Sequence, residues 1–178
     1  MIYFVTGNKG KFQEAKDILG DVEQKNLGYT EIQAESLEEV TVFGMKEVVV
    51  KQDGAVMIED AGLFIEALNG FPGVYSAYVF DTIGNEGILK LMRDVDNRRA
   101  VFRSVLGYVE QGVELQLFKG ELWGEITTRP RGTGGFGYDP IFEVEGKTIA
   151  EMSLEEKNQI SHRAASIHAL ERWLSARK

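Results

Sequence analysis

Two adjacent carboxylates, Glu59 and Asp60, follow the apolar run AVMI and have the types and spacing for hydrolytic chemistry. The ends of buried strands in α/β sheets are where ligand sites usually form. Consecutive strand residues point to opposite faces, so only one of the two acids readily faces a given pocket. A carboxylate there can hold Mg²⁺ or accept a proton from water. A turn acid that satisfies nearby amides is the alternative interpretation.

A second candidate is the sequence TGNKGK at residues 6–11, between an apolar run and a helical pattern. Glycines let the backbone approach a ligand closely, and a helix start offers unpaired amides with a partial positive charge. Lys11 can neutralise phosphate, and Thr6 and Asn8 can donate hydrogen bonds. The segment is not a Walker A motif, which requires four residues between its first glycine and Gly-Lys-Ser/Thr. A plain βα turn with exposed lysines remains possible.

A third group consists of four glutamates close together in sequence, Glu31, Glu35, Glu38 and Glu39. One of them could complete a site for a hard cation with Asp60. Acids favour helix N-termini, and this preference accounts for Glu38 and Glu39 as a solvated helix start. Glu31 and Glu35 remain as the metal candidates.

Two groups nearer the C-terminus could bind a nucleobase. Glycines on both sides of Phe136 leave both faces of its ring open for stacking, and Asp139 could accept a base N–H. His162 and Arg163 fall in the first turn of the last predicted helix, and arginine has fixed donors suited to keto oxygens or phosphates. A cation at a helix start is disfavoured by the helix dipole, which favours a ligand role for Arg163. The alternatives are a phenylalanine that fills the core, a capping histidine and a surface arginine.

The elements that must position these residues alternate between strands and helices. Apolar runs predict strands at residues 1–5, 55–59 and 62–67, and a hairpin of 99–109 with 113–122. Helical spacing predicts helices from the 6–11 loop to Gly20, from Ser36 to about Lys51, from Gly84 to Arg93, and from Ser161 onward. Clusters of glycine and proline predict loops at 69–73 and 129–139. We therefore predict one domain over residues 1–178, a three-layer α/β/α sandwich with a mixed sheet.

Composition and charge limit the classes of partner. The 178 residues are 43% hydrophobic and include no cysteine, which excludes disulfides and thiolate metal sites and fits a cytoplasmic protein. The net charge of −8 argues against nucleic-acid binding by bulk electrostatics. No run approaches the roughly 20 apolar residues of a membrane span, and the N-terminus does not read as a signal peptide. A small polyanion would need a few placed cations and backbone amides.

Five segments, taken in order, resemble the inosine triphosphate pyrophosphatase family. They are TGNKGK at 6–11, EDAGL at 59–63, LNGFPG at 68–73, GGFGYDPIF at 134–142 and EKNQISHR at 156–163. The resemblance extends from residue 2 to about 174. It implies hydrolysis of ITP, dITP and XTP to the monophosphate and pyrophosphate, which removes these nucleotides from the pool. It also implies two lobes around a substrate groove, and a homodimer.

The resemblance also implies roles for individual residues. The triphosphate would be held by Thr6, Gly7, Asn8, Lys9, Gly10 and Lys11. Asp60 would be the general base and would share Mg²⁺, or Mn²⁺ in its place, with Glu31, for which Glu35 is the reserve. The base and sugar would be held by Phe136, Gly137, Tyr138 and Asp139, and phosphate and the purine 6-keto edge by Lys157, His162 and Arg163. Many family members have Ser or Thr where this chain has Ala61, so only a backbone N–H is available to substrate there.

Two other classes compete with this interpretation. A Nudix-type hydrolase would perform similar chemistry, but its Gly-x5-Glu-x7-Arg-Glu-x2-Glu-Glu box is missing from the sequence. A nucleotide-sensing module would keep the phosphate loop and the base pocket without needing Asp60 beside an acidic metal ligand. Release of pyrophosphate from ITP separates an enzyme from such a sensor.

Overall fold

The computed structural model describes residues 1–177 and contains a seven-stranded mixed sheet. The strands are β1 (Ile2–Val5), β2 (Val22–Lys25), β3 (Ala55–Ile65), β4 (Arg99–Glu110), β5 (Val113–Ile126), β6 (Phe142–Val144) and β7 (Lys147–Thr148). The helices are α1 (Lys9–Leu19), α2 (Leu37–Val48), α3 (Ser76–Leu91), α4 (Leu154–Ile160) and α5 (His162–Ser175). The strand order is β2-β1-β3-β4-β5-β6-β7, with β1 parallel to β2 and β3 and the remaining neighbours antiparallel. Across residues 1–177, no helix is long and apolar enough to cross a bilayer.

Helices cover both faces of the sheet because neighbouring strand residues face opposite ways. Phe4 and Met57 pack in one buried cluster with Ile167 of α5, and α1 contributes to the same cluster. Val5, the next residue after Phe4, packs with Met45 of α2 in a separate cluster. The predicted three-layer α/β/α sandwich is confirmed.

A third buried cluster packs on the C-terminal half of β3 and the N-terminal half of β4, which are paired with each other. Leu63 and Phe102, which are opposite each other in register, pack there with Ile88 of α3 and with Ile141. The central clusters and this one occupy different parts of the long strands. The two central clusters form the core of the first lobe, and this cluster forms the core of the second lobe. Both lobes share one sheet.

Helices α2 and α5 begin where the sequence predicts. The Ser36 side chain accepts a hydrogen bond from the Glu39 amide at 3.3 Å, and the Ser161 side chain accepts one from the Ala164 amide at 3.0 Å. Both are N-caps as predicted. The start of α5 also lies against β5 at Gly120, where any Cβ would collide with the backbone around residues 162–166. This glycine lets the first turn of α5 approach the sheet.

The prediction of two strands at 55–59 and 62–67 is wrong, because β3 is one strand from Ala55 to Ile65. It pairs without interruption with β4, from Val56 opposite Val109 to Ile65 opposite Ala100. Gly62 within this strand serves packing, because a Cβ there would collide with the Gly73 carbonyl.

The prediction of a helix from Gly84 to Arg93 found only the second half of α3, which begins at Ser76. Gly84 lies inside it with φ 60° and ψ −165°, which breaks the helical geometry. The first half has few strong helix formers, and it is held by tertiary packing, with Val79 in the core of the second lobe. The sequence reasoning also missed the short elements β2, β6, β7 and α4.

Candidate active site

A cavity of about 370 Å³ lies between the two lobes, a size typical of small-molecule sites. Its lining includes predicted site residues from six segments of the chain: Asn8, Lys11, Glu31, Asp60, Ala61, Phe136, Gly137, Tyr138, Asp139, Lys157, His162 and Arg163. Thr6 and Gly7 of the adjoining loop, and Lys9 and Gly10 of the first turn of α1, do not line it. A more open concavity of about 510 Å³ beside Arg98 and Arg131 contains none of the predicted residues.

The loop before α1 adjoins this cavity and is shaped by its own hydrogen bonds. The Asn8 side chain accepts a hydrogen bond from the Lys11 amide at 3.0 Å and caps the helix, and Thr6 Oγ1 accepts one from the Asn8 amide at 3.1 Å. The first-turn amides of Lys9 and Gly10 have no partner within the helix by its geometry. The oxygens of Thr6 and Asn8 therefore shape the loop, while the amides remain as donors for an anion.

Gly10 has a packing reason that the sequence did not show. A Cβ at this position would lie 2.6 Å from Cε1 of Phe136, so only glycine admits the aromatic ring. The predicted phosphate loop and the predicted base loop are therefore in direct contact.

The expectation that both faces of the Phe136 ring are open is wrong. The Lys157 Nζ lies 4.4 Å from the ring centroid and the Arg163 guanidinium lies 5.4 Å from it, so cations cover part of the ring. The loop is held from within, since the Phe136 amide donates to Asp139 Oδ2 at 2.9 Å. It is also held by the second lobe, since the Tyr138 hydroxyl donates to the Ser76 carbonyl at 2.7 Å.

One buried glutamate of α1 bridges two cations of the cavity. Glu14 is 1% exposed, and its Oε1 lies 2.9 Å from Lys157 Nζ while its Oε2 lies 2.8 Å from Arg163 Nη1. Lys157 also lies 2.8 Å from Asp139 Oδ2. The sequence reasoning missed Glu14; the available signal was an acid beside the apolar face of a helix that also carries Ala15.

Glu59 is a second buried anchor. Its carboxylate lies 2.9 Å from Lys11 Nζ and 3.2 Å from Arg163 Nε, and it accepts a hydrogen bond from Ser104 at 2.7 Å. Burial opposes ionisation, but Arg163 and Lys11 outweigh it and hold the pKa of Glu59 below its ordinary range. Arg163 was expected to serve a ligand because a cation is disfavoured at a helix start. In the structure Glu14 and Glu59 compensate its charge.

The pKa of Asp60 is shifted in the opposite direction from that of Glu59. Its Oδ2 is buried and has no hydrogen-bond partner among residues 1–177. Burial raises its pKa to about 7, with Lys11 opposing this shift and Glu59 and Glu31 adding to it. A carboxyl group with this pKa can accept a proton near neutral pH.

The two candidate metal ligands are separated by the structure. Glu31 lines the same cavity as Asp60, whereas Glu35 lies in a different concavity with Phe64 and Lys119. No group of three or more acidic or histidine side chains is close enough within residues 1–177 to hold an ion by itself. A cation between Glu31 and Asp60 would therefore take other ligands from substrate or water, as Mg²⁺ commonly does.

His162 is buried and stacks on Phe102, with the ring centroids 4.8 Å apart and the planes 11° from parallel. Its Nδ1 has no partner among the described residues. Burial, with Arg163 and Lys157 adding to it, holds the pKa of His162 well below its ordinary value. The imidazole is therefore neutral at pH 7 and offers one donor and one acceptor.

The fold and the cavity define an α/β sandwich protein whose two lobes enclose a small-molecule pocket of carboxylates, cations and aromatic rings. The chain belongs to the Ham1 family, whose model matches residues 2–173. It is 52% identical over 178 residues to the dITP/XTP pyrophosphatase of Methanopyrus kandleri, covering 97% of this chain and 95% of the relative. It is 51% identical over 177 residues to the dITP/XTP pyrophosphatase of Thermococcus kodakarensis, with 96% and 95% coverage.

A solved structure agrees in fold. The Staphylococcus aureus Ham1 protein superposes with a TM-score of 0.87 at 33% identity, and the match covers 99% of both chains.

Proposed function

We propose that this protein hydrolyses the triphosphates of deaminated purines, ITP, dITP and XTP, to the monophosphate and pyrophosphate, and so removes them from the nucleotide pool. The observation that carries the proposal is the proton acceptor Asp60, with its unpartnered Oδ2, in one cavity with Lys11 and the cation-flanked ring of Phe136. The dITP/XTP pyrophosphatase names of relatives at about half identity support the same substrate class.

The proposed roles divide along the cavity. The triphosphate lies against residues 6–11, where first-turn amides and Lys11 donate to it, and the Ala61 N–H donates from β3. The base and sugar lie against residues 136–139. Lys157, His162 and Arg163 face the purine 6-keto edge and the neighbouring phosphate.

The proposed chemistry is an in-line displacement at the α-phosphorus. Asp60 accepts a proton from a water molecule as the water oxygen bonds to phosphorus, and the bond from phosphorus to the bridging oxygen breaks. The pyrophosphate takes the electrons of that bond and leaves. Lys11 and the loop amides stabilise its charge.

The charges of the cavity support a role for Mg²⁺. Its lining carries three cations, Lys11, Lys157 and Arg163, and four carboxylates, Glu31, Asp60, Asp81 and Asp139. A triphosphate does not enter such a site favourably unless further positive charge comes with it. Glu31 and Asp60 would hold the ion, and the orphaned Asp60 Oδ2 suits this hard oxygen-binding cation. When bound, the ion would neutralise the triphosphate and the departing pyrophosphate.

The products distinguish this proposal from other triphosphate chemistry. Incubation of the protein with ITP and Mg²⁺ is expected to give IMP and pyrophosphate, separated by ion-exchange chromatography. IDP with orthophosphate would contradict attack at the α-phosphorus, and binding of ITP without turnover would indicate a nucleotide sensor.

We expect activity to require Mg²⁺ or Mn²⁺ and to disappear in excess EDTA. Glu31→Gln is expected to raise the metal concentration needed for half-maximal rate by about 10-fold or more, because the ion loses one of its two carboxylate ligands. Glu35→Gln is the matched control, since that glutamate lies outside the cavity. A metal requirement raised by Glu35→Gln and not by Glu31→Gln would contradict the assignment.

We further propose that residues 1–178 act as one domain, that two copies form a homodimer, and that the protein works in the cytoplasm. One continuous sheet shared by both lobes supports the single domain. The proposed substrate supports this location, because the cytoplasm holds a pool of nucleoside triphosphates. The homodimer is proposed from the family resemblance alone, and cross-linking or light scattering of the protein in solution would test it.

A further inference from the structure

Glu31 is carried by a segment without regular secondary structure, residues 26–35, between β2 and α2. Its side chain is exposed and makes no hydrogen bond or ion pair with the residues that the structure describes. Contacts of its own side chain therefore do not fix its position beside Asp60. The position depends on how the backbone of the segment is anchored.

The strongest anchor is the ring of Tyr29, two residues before Glu31. It packs against α2 at Gly44, where a Cβ would lie 2.5 Å from Tyr29 Cδ2 and 2.8 Å from Cε2. The ring joins the buried cluster that contains Met45 and Ile58. Gly44 is thus a notch in the middle of a helix, a position where glycine is otherwise unfavourable.

Two further contacts tie the same segment to α2 and its end. The Thr30 amide donates to Glu47 Oε2 at 2.9 Å, and the Lys51 ammonium donates to the Gly28 carbonyl at 3.2 Å. The Lys51 side chain is exposed and the Glu47 side chain is half-buried, so water competes with both contacts. The Tyr29 ring is the one anchor of the three that is packed in the apolar core.

We propose that Tyr29 is a positioning residue, whose ring, docked in the Gly44 notch, places Glu31 beside Asp60. The inference rests on the proposed function, because it takes Glu31 to be a metal ligand. The ring and not the hydroxyl makes the contact with Gly44. Tyr29→Phe should therefore keep Glu31 in position, and Tyr29→Ala should not.

The test measures Mn²⁺ binding by the EPR signal of the free ion, on full-length protein with a non-hydrolysable α,β-imido analogue of ITP. Tyr29→Ala is expected to weaken Mn²⁺ binding by about 10- to 100-fold, the range typical of residues that orient metal ligands. Tyr29→Phe is expected to bind Mn²⁺ within about twofold of the unmodified protein, since the ring contact with Gly44 is unchanged. Amide hydrogen exchange across residues 26–35 should accelerate in the alanine variant and not in the phenylalanine variant.

Gly44→Ala tests the notch from the other side and leaves Tyr29 in place. It is expected to displace the ring and weaken Mn²⁺ binding. In the Tyr29→Ala background, the same substitution should cause no further loss. A general folding defect would instead give additive effects. If Tyr29→Ala does not fold, Gly44→Ala still displaces the ring and decides the question.

Glu31→Gln separates the positioning role of Tyr29 from the metal role of Glu31. If it weakens Mn²⁺ binding while Tyr29→Ala and Gly44→Ala bind normally, the positioning role is refuted and the proposed function stands. If Glu31→Gln binds Mn²⁺ normally, the metal role of Glu31 in the proposed function is refuted.

Discussion

Replacing Asp60 with asparagine is expected to lower kcat by about 10²–10⁴-fold, the usual contribution of a general base. Asparagine keeps the shape of the side chain but cannot accept the proton. The same carboxyl should set the acidic limb of the pH profile: with its pKa at about 7, kcat/KM should fall about tenfold per unit as pH falls below that value. The limb should move to lower pH as Mg²⁺ is raised, because metal and proton compete for Asp60.

The same substitution is expected to stabilise the fold. The pKa of Asp60 is raised in the folded protein, so its ionised form at pH 8 opposes folding. Asp60→Asn should raise the free energy of unfolding at pH 8 by about 1–2 kcal/mol, a value reduced for partial solvent access. The gain should be smaller at pH 5, where the folded carboxyl is protonated. Urea unfolding at both pH values and steady-state kinetics measure the two effects.

Asp53→Asn, at an exposed position outside the cavity, is the matched control and should change neither quantity. An Asp60→Asn variant with near-normal kcat would remove Asp60 as the base. A variant that loses both activity and stability would show that Asp60 is structural.

The second large effect is discrimination between bases. ITP and XTP are expected to be cleaved with kcat/KM up to about 10⁴-fold above that for ATP. Neutral His162 can adopt the tautomer that suits either a keto oxygen or an amino group, so it does not discriminate by itself. Arg163 is always a donor, and Glu14 and Glu59 hold it in place. A 6-keto oxygen accepts from it, whereas the 6-amino group of adenine presents donor to donor.

The measurement is kcat/KM for ITP, XTP, GTP and ATP with Mg²⁺ in excess. Arg163→Lys is expected to lower the ratio of ITP to ATP more than His162→Gln does. Circular dichroism on each variant separates a changed ratio from a lost fold. Equal rates on ATP and ITP in the unmodified protein would contradict the selectivity. GTP carries the same 6-keto group, so contacts at the 2-position must decide its rate.

Local sequence signals predicted the elements whose structure is local. The strand before residue 6, the caps at Ser36 and Ser161 and the hairpin at 111–112 each depend on a few neighbouring residues. The missed helix α4 also had such a signal, since Ser153 and Glu156 form a capping box. The continuity of β3 did not have one, because it depends on pairing with β4.

The sequence predicted which residues belong to the candidate site, but not the buried ion pairs that connect them. The sequence placed Lys11, Lys157 and Arg163 in one pocket and treated them as cations available to a ligand. The partners that compensate them come from distant parts of the chain: Glu14 and Arg163 are 149 positions apart. No local pattern encodes such a pairing.

The bridge that Glu14 makes between Lys157 and Arg163 has an evolutionary consequence. Removing one partner of a buried ion pair costs about 3–5 kcal/mol, a large part of the stability of an ordinary domain. A change at any one of the three positions is therefore harmful until a second change restores the balance. Substitutions at these sites should be strongly epistatic: new base preferences built on Arg163 are reached through paired replacements in α1 and α5, and seldom by single steps.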